Sequence, residues 1–377
     1  MKGMQRWTGW MIMLAMMGLL AGPEAVRAGN NLLKVRDAVY TTGQTVIINI
    51  DVTNEDAFKA FQFYITFPAG LAFDGSSLTL TSRSQDHNVY CSTIQQDGSY
   101  YIFAVSFNKK LFLGNSGSVL ELSCSAPGGV GSYPISISGA QLIDINNSYL
   151  PLTTQGGQIV VFNPANAAKA RILTRLEGWN DGSTMRTTLA AGSRIPLNSP
   201  YAQAPRTASS IPTNIADWIL LELRTAPGGS AIFRQSYLLR NDGYLAELDG
   251  TTTSLTLMVP AGNYWIVLRH RNHAAVMSAS AQSLTTSGAF FDFTGAASQY
   301  YSAGGTLVGI RYCMPAGDID QDGHITSKDY VRWYKKKLAA PPAGYYEEDL
   351  NGDGLVTDAD FALWQTDARL GLDSRLP

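Results

Sequence analysis

The sequence predicts a mainly β protein: two β-sandwich domains followed by a small α-helical module. Three observations carry this. Apolar and polar residues alternate over short runs between residues 30 and 312, the period of half-buried strands. Turn signals rich in Gly, Pro, Asn and Ser separate those runs. After residue 317 the chain changes to acidic loops followed by helical spacing.

A chain of 377 residues exceeds one small core, so two or three domains are expected. Its 36 glycines fit many turns. Charged residues make up only 15% and the formal net charge is -2, which gives no electrostatic reason for a nucleic acid or an anionic membrane as partner.

Residues 1–28 read as a signal peptide. Lys2 and Arg6 form a positive start, residues 10–20 (WMIMLAMMGLL) an apolar stretch, and Val26-Arg27-Ala28 a cleavage site. The apolar stretch is shorter than the ~20 residues of a spanning helix. Export without a membrane span after cleavage is the expectation, and a retained anchor is the lesser reading. Export permits disulfides, and Cys91 and Cys124 share one predicted domain. With Cys313 the count is odd, and buried free thiols serve equally well. No Cys/His spacing suggests zinc.

The first sandwich is placed at 29–163. Val46, Ile48, Ile50 and Val52 alternate with polar residues, as do Phe61, Phe63, Ile65 and Phe67. Tyr101, Phe103, Val105 and Phe107 are read as a third apolar face, and Leu120, Leu122 and Cys124 as a fourth. Turns fall at Pro68-Ala69-Gly70, Asp97-Gly98, residues 114–117 and Pro127-Gly128-Gly129. Asn163-Pro164-Ala165-Asn166-Ala167-Ala168 reads as a linker. A second, immunoglobulin-like sandwich follows at 170–312, with its best strands at 218–223, 255–259 and 264–269 and a long loop over 190–215. Met314-Pro315-Ala316-Gly317 then interrupts the pattern.

Two twelve-residue stretches follow. The first is Asp318-Ile319-Asp320-Gln321-Asp322-Gly323-His324-Ile325-Thr326-Ser327-Lys328-Asp329. The second is Asp349-Leu350-Asn351-Gly352-Asp353-Gly354-Leu355-Val356-Thr357-Asp358-Ala359-Asp360. Oxygen ligands at positions 1, 3, 5, 7, 9 and 12 are how such a loop wraps calcium, a hard cation taking six to eight oxygens. Positions 1, 3 and 5 are Asp318, Asp320 and Asp322, then Asp349, Asn351 and Asp353. Position 6 is Gly in both, where the turn needs a positive φ. Position 7 offers a backbone carbonyl, from His324 and Leu355. Position 12 is Asp329 and Asp360. Ile325 and Val356 at position 8 can form a short β-bridge with each other and pack in the core. An acidic turn arises by chance once; two matching loops argue for two calcium ions. An aromatic residue and a Trp repeat after each loop, at Tyr330 and Trp333 and at Phe361 and Trp364, on helices near 327–338 and 358–369. These rings are read as core. The crowded carboxylates repel without the ion, so metal binding and folding are expected to be coupled.

This arrangement resembles a dockerin of type I-like pattern: two loop–helix repeats with Asp at position 12, over 316–371. The resemblance implies a cohesin as protein partner, and an exported bacterial protein at the cell surface. It also implies partner contacts at loop positions 10 and 11, here Ser327, Lys328, Asp358 and Ala359. The two pairs differ, which departs from family members with near-identical repeats and favours one binding mode. Arg332 and Lys335-Lys336-Lys337 are further candidates for contact, against the simpler reading of a solvated face.

The first sandwich resembles a cohesin or a related carbohydrate-binding sandwich, on Gly43-Gln44-Thr45-Val46-Ile47-Ile48, residues 61–68 (FQFYITFP) and Gly117-Ser118-Val119-Leu120-Glu121-Leu122. That resemblance implies a dockerin as its partner. The middle block resembles sandwiches found before dockerins, on Leu176-Glu177-Gly178-Trp179 and residues 267–272. His270 and His273 lack a nearby acidic cluster in sequence and read as structural. Dockerins usually tether glycoside hydrolases, but no paired-carboxylate cleft, G-x-S-x-G, HExxH or phosphate loop is legible. The expected function is non-catalytic: cohesin–dockerin type assembly linked to polysaccharide degradation. The alternative is a carbohydrate-binding or adhesive surface protein, with Tyr100, Tyr101 and Tyr149 as candidate sugar-stacking residues; a hydrolase ranks third.

Overall fold

The structure is a computed structural model and describes residues 30–92, 94–125 and 129–377. The predicted signal peptide and part of the predicted turn at Pro127-Gly128-Gly129 lie outside the described residues. The chain is mainly β, as expected, with two sandwiches and a pair of C-terminal helices.

In the first sandwich, one sheet runs in the spatial order Thr153–Gln155, Leu32–Val35, Val46–Thr53, Ser118–Cys124 and Leu78–Leu80. The facing sheet runs Ala38–Thr41, Gly157–Phe162, Gly131–Ile143, Ala60–Thr66, Ser99–Val105 and Asn88–Cys91. Between them lie the residues whose alternation marked the strands: Val46, Ile48, Ile50, Val52, Phe61, Phe63, Ile65, Leu120, Leu122 and Cys124. One strand is in the opposite register to that expected. On Ser99–Val105 the core takes Ile102 and Ala104, while Tyr101 and Phe103 face outward and Phe107 is exposed beyond the strand end; of the expected face Val105 alone is buried. Aromatic residues suit either face of a sheet, so period two alone did not fix which face was buried.

Arg83 closes the edge of this sandwich. Its guanidinium donates to the carbonyls of Leu113 (2.6 Å), Val52 (2.7 Å), Gly117 (2.9 Å) and Gly114 (3.1 Å), and to Asn54 Oδ1 (2.7 Å). The cysteines Cys91, Cys124 and Cys313 are free thiols.

The linker is shorter than the sequence predicts. Pro164–Asn166 forms one 3-10 turn capped by the Asn163 side chain, and Ala167 and Ala168 already belong to the strand Ala167–Leu173. That strand lies between Leu255–Pro260 and Ala289–Asp292 in a three-stranded sheet. The larger sheet runs Leu245–Ala246, Ala231–Arg240, Ile215–Arg224, Gly262–His270 and His273–Met277. The stretch 190–215 has little regular structure, yet Ile195, Tyr201, Ala204 and Ala208 are buried in the core.

Residues 314–317 join the middle block to the helical module without becoming a free connector. Met314 and Ala316 are buried. Met314 N donates to Arg175 O (2.8 Å), Ala274 N to Pro315 O (2.8 Å) and Gly317 N to Asn272 O (2.9 Å). The helices are Ser327–Leu338 and Asp358–Leu370, close to the expected bounds. Each begins on a Thr N-cap with a capping box closed by the position-12 Asp.

Replacing Arg83 tests the first sandwich. Arg83→Ala removes the shared donor of five acceptors, and a buried acceptor left short costs ~1–3 kcal/mol. We expect chemical denaturation to show a loss of at least ~2 kcal/mol. Arg83→Lys should recover little of it, because an ammonium cannot reproduce the planar fork. Wild-type stability in Arg83→Ala would contradict this account.

Candidate metal centre and its surroundings

The two loops share one backbone course. Position 6 has φ +88 at Gly323 and φ +87 at Gly354, the left-handed conformation that Gly adopts without strain. Position 4 also turns left-handed, at Gln321 (φ 61) and Gly352 (φ 69). The sequence reading missed position 4, although Asn351-Gly352 is a visible turn signal. Equivalent side chains accept equivalent bonds: Asp320 Oδ1 from Asp322 N (3.2 Å) and Asn351 Oδ1 from Asp353 N (2.9 Å). Asp322 Oδ1 likewise accepts from His324 N (3.0 Å) and Asp353 Oδ1 from Leu355 N (2.8 Å).

In the first loop, one ligand atom each from Asp318, Asp320 and Asp322 lies within 4.8 Å of the others. Asp318 is 2% exposed and its buried Oδ1 has no hydrogen-bond partner among the described residues. A buried, unpartnered carboxylate oxygen beside two further carboxylates is what a calcium ion fits. The second loop offers the same donor types on the same course. There Asp349 is fully buried, its oxygens accepting from Gly352 N and Gly354 N, both at 2.8 Å.

Position 12 does more than await a ligand. Asp329 Oδ1 accepts from Ile319 N (2.8 Å) and Asp320 N (3.0 Å), and Oδ2 from Thr326 N (2.8 Å). Asp360 repeats this with Leu350 N (2.8 Å), Asn351 N (3.2 Å) and Thr357 N (2.8 Å). The residue thus ties positions 2, 3 and 9 together. In the first loop it keeps a lone-pair direction on Oδ2 for a cation. Bound calcium would supply charge neutralisation for the Asp318/Asp320/Asp322/Asp329 and Asp349/Asn351/Asp353/Asp360 sets, with backbone carbonyls at His324 and Leu355 as the position-7 donors.

Burial, then Asp329, Asp320 and Asp322, push the Asp318 carboxyl up to about 7. Burial pushes Asp349 up to about 7 against the pull of the Arg271 guanidinium. Burial takes Asp360 up to about 6 against its backbone donors.

The two repeats lock to each other reciprocally. Trp333 Nε1 donates to Thr357 O and Trp364 Nε1 to Thr326 O, both at 3.1 Å. Tyr330, Trp333, Phe361 and Trp364 pack as a ring cluster over Ile319 and Leu350, so the aromatics are core as read. An Ile325–Val356 bridge is not what forms. Ile325 N donates instead to Asp373 Oδ1 (2.8 Å), and Asp373 Oδ2 meets His324 Nδ1 (3.1 Å). Residues beyond the predicted end of the module, 372–374, therefore close the first loop, with Ser374 N on Gly323 O (2.9 Å).

Ser327, Lys328, Arg332, Asp358 and Ala359 are all exposed. Lys328 Nζ pairs with Asp322 Oδ2 (2.7 Å), and Lys337 pairs with Asp358. The latter contact joins the end of one helix to the start of the other, so the two position-10/11 pairs lie at opposite ends of an antiparallel helix pair. Arg332 Nη1 donates to Ile319 O (3.0 Å). Along the first helix Val331, Tyr334 and Leu338 expose 44%, 44% and 66%, an apolar stripe at helical spacing.

On the first sandwich, Tyr64 and Tyr101 (centroids 5.0 Å), Tyr101 and Phe103 (5.6 Å), and Phe103 and Tyr90 (4.9 Å) form a continuous outward row. Tyr101 OH donates to Gln62 Oε1 (2.9 Å) and Gln62 Nε2 to Gln141 Oε1 (2.6 Å). Of the three tyrosines read as candidates, Tyr101 is in this row and Tyr149 is exposed; Tyr100 packs on Phe67 and Phe73 and donates to Phe73 O (2.7 Å). His270 and His273 are buried in contact (3.0 Å) and His270 meets Asp217, a structural placement.

No protein-family model matches the chain, and no curated protein matches it either. Among solved structures, the chain is similar to a non-cellulosomal cohesin from the hyperthermophilic archaeon Archaeoglobus fulgidus: 13% identity and TM-score 0.30, covering 35% of this chain and 91% of that one. It is similar to the sixth cohesin of Acetivibrio cellulolyticus scaffoldin B, solved with a dockerin: 14% identity and TM-score 0.31, covering 36% and 99%. It is also similar to a type III cohesin from a cell-surface anchoring scaffoldin of Ruminococcus flavefaciens: 13% identity and TM-score 0.30, covering 38% and 100%.

Acidity should act oppositely on the two states of the loops. Folded-state carboxyls raised to about 6–7 favour the protonated form, so the metal-free module loses stability as pH rises from the ordinary range near 3.8 through 7. Calcium needs the ionised form, so its affinity should fall as pH drops below about 7. Thermal melts across pH 4–8, with calcium and with chelator, check this. A chelator effect that does not grow with pH would contradict it.

Proposed function

We propose that this chain is a non-catalytic, exported assembly protein whose C-terminal module, folded around two calcium ions, docks into a cohesin. The observation that carries the reading is the twofold loop–helix unit with its solvent-facing stripe Val331, Tyr334 and Leu338, edged by Arg332 and Lys335. An apolar helix face with a basic edge suits a partner's flat or grooved surface. The ion does no chemistry here; it holds Ser327-Lys328 and Asp358-Ala359 at the helix starts. The first sandwich is assigned a dockerin as its own partner. A link to polysaccharide degradation and a cell-surface location belong to the same reading.

A second reading has its own support. The row Tyr64, Tyr101, Phe103 and Tyr90, with the Gln62–Gln141 pair beside it, is uncharged and offers ring faces and amides, the chemistry that holds a sugar chain.

The experiment is a pull-down of the full chain against a panel of cohesins, with calcium and with chelator. Capture in calcium only, lost in Leu338→Asp while calcium binding is kept, supports docking through the helix. If no cohesin is captured in either condition, the assembly reading fails. Retardation in polysaccharide gels, lost at least tenfold in Tyr101→Ala with Phe103→Ala, would place the second reading first.

A further inference from the structure

The middle block reaches the second calcium loop through a set of contacts that the first loop lacks. Asn272, fully buried, donates from Nδ2 to Asp349 O (2.7 Å). Arg186 Nη1 donates to Asn351 O (3.5 Å). Trp179 lies flat against the loop at Gly352: a Cβ there would come within 2.5 Å of the indole. Gly178 meets the other side, where a Cβ would lie 2.4 Å from Leu350 O. Just before the loop, Tyr345 OH donates to the buried Asp217 (2.7 Å), and Arg271 pairs with Asp217 (2.8 Å) while donating to Tyr346 O. Burial opposes ionisation of Asp217, but Arg271, His270 and Tyr345 outweigh it and hold its carboxyl down to about 2. Among the described residues, the middle block reaches the first loop itself only by way of the C-terminal tail, where Ser374 Oγ donates to Ala275 O (3.1 Å); it otherwise holds the two residues ahead of that loop, Glu177 Oε2 accepting from Ala316 N (3.0 Å) and Asn272 O from Gly317 N (2.9 Å).

We infer that the second calcium site is a composite site: Trp179, Asn272 and Arg186 of the middle block position the 349–360 loop, so its occupancy is linked to the order of the 175–187 segment. The first site depends less on that segment, which touches the chain ahead of the first loop at 314–316 and not the loop itself. This rests on calcium being the ligand of both loops. By linkage, a ligand that binds only the ordered state stabilises that state in proportion to its saturation, and the coupling runs both ways. The two ions are then unequal in role. One organises the helix start at Ser327, and the other fastens the module to the sandwich before it.

Amide hydrogen exchange of the full chain tests this, read at peptides covering 175–187. With calcium at a hundredfold excess over its dissociation constant, exchange there should slow by up to about a hundredfold relative to chelator. Asp353→Ala, in the second loop, should remove that protection. Asp322→Ala, its equivalent in the first, should keep most of it. From the other side, Trp179→Phe and Asn272→Ala should each weaken one of two calorimetric calcium sites by about threefold to tenfold and leave the other unchanged. Equal loss of protection in the two loop variants overturns the inference, as does two-site calcium binding with an unresponsive 175–187 segment. Calorimetry that detects no calcium binding at all overturns instead the metal reading on which it rests.

Discussion

Buried negative charge is the constraint around which the C-terminal third is organised. Asp318, Asp329, Asp349 and Asp360 are all removed from water within two short loops. A carboxylate in that position needs donors, a proton or a cation. The chain supplies donors first: backbone amides at positions 2, 3 and 9 turn toward position 12, and each loop closes around its own last residue. The donors run short at Asp318, whose Oδ1 has no partner among the described residues. The helix starts, the ring cluster and the seat on the middle block are all set by this arrangement.

The backbone course of the loops was legible because acidic residues and Gly recur at the same spacing in both. The helix bounds followed from the Thr caps and from the position-12 Asp. Three features were not legible. Gln321 carries a left-handed turn that its side chain does not announce. Tyr101 and Phe103 have the alternation of a core face, and only the packing of Ile102 and Ala104 between the sheets decides which side is buried. Residues 314–317 look like a break, since Pro and Gly usually mark turns. Their backbone is instead paired on both sides with residues distant in sequence, Arg175 and Asn272 to Ala274. Long-range pairing of this kind leaves no local periodicity to read.

The same limit applies to the seat of the second loop. Gly178 and Gly352 are ordinary turn residues in the sequence. In space each is small because another group passes close by: Leu350 O beside one, the Trp179 indole beside the other. A second buried acidic contact, Glu177 with Asp367, lies nearby, and both accept from Ala316 N (3.0 and 2.9 Å). Burial, and then the Glu177 carboxyl, raise the proton affinity of Asp367. The join between sandwich and module is therefore polar at its centre, and its directional hydrogen bonds make the relative placement of the two parts specific.

The exchanged indole bonds, Trp333 to Thr357 O and Trp364 to Thr326 O, have a consequence for how such a module can arise. They are the contacts of a symmetric dimer, in which each unit completes the other. A lone loop–helix unit would find a partner for its indole only in a second copy, at a concentration-dependent cost. Joining two copies in one chain makes that encounter intramolecular. The halves need not be identical, and they differ in what closes them: one loop is closed by the chain's own tail, the other by a neighbouring domain.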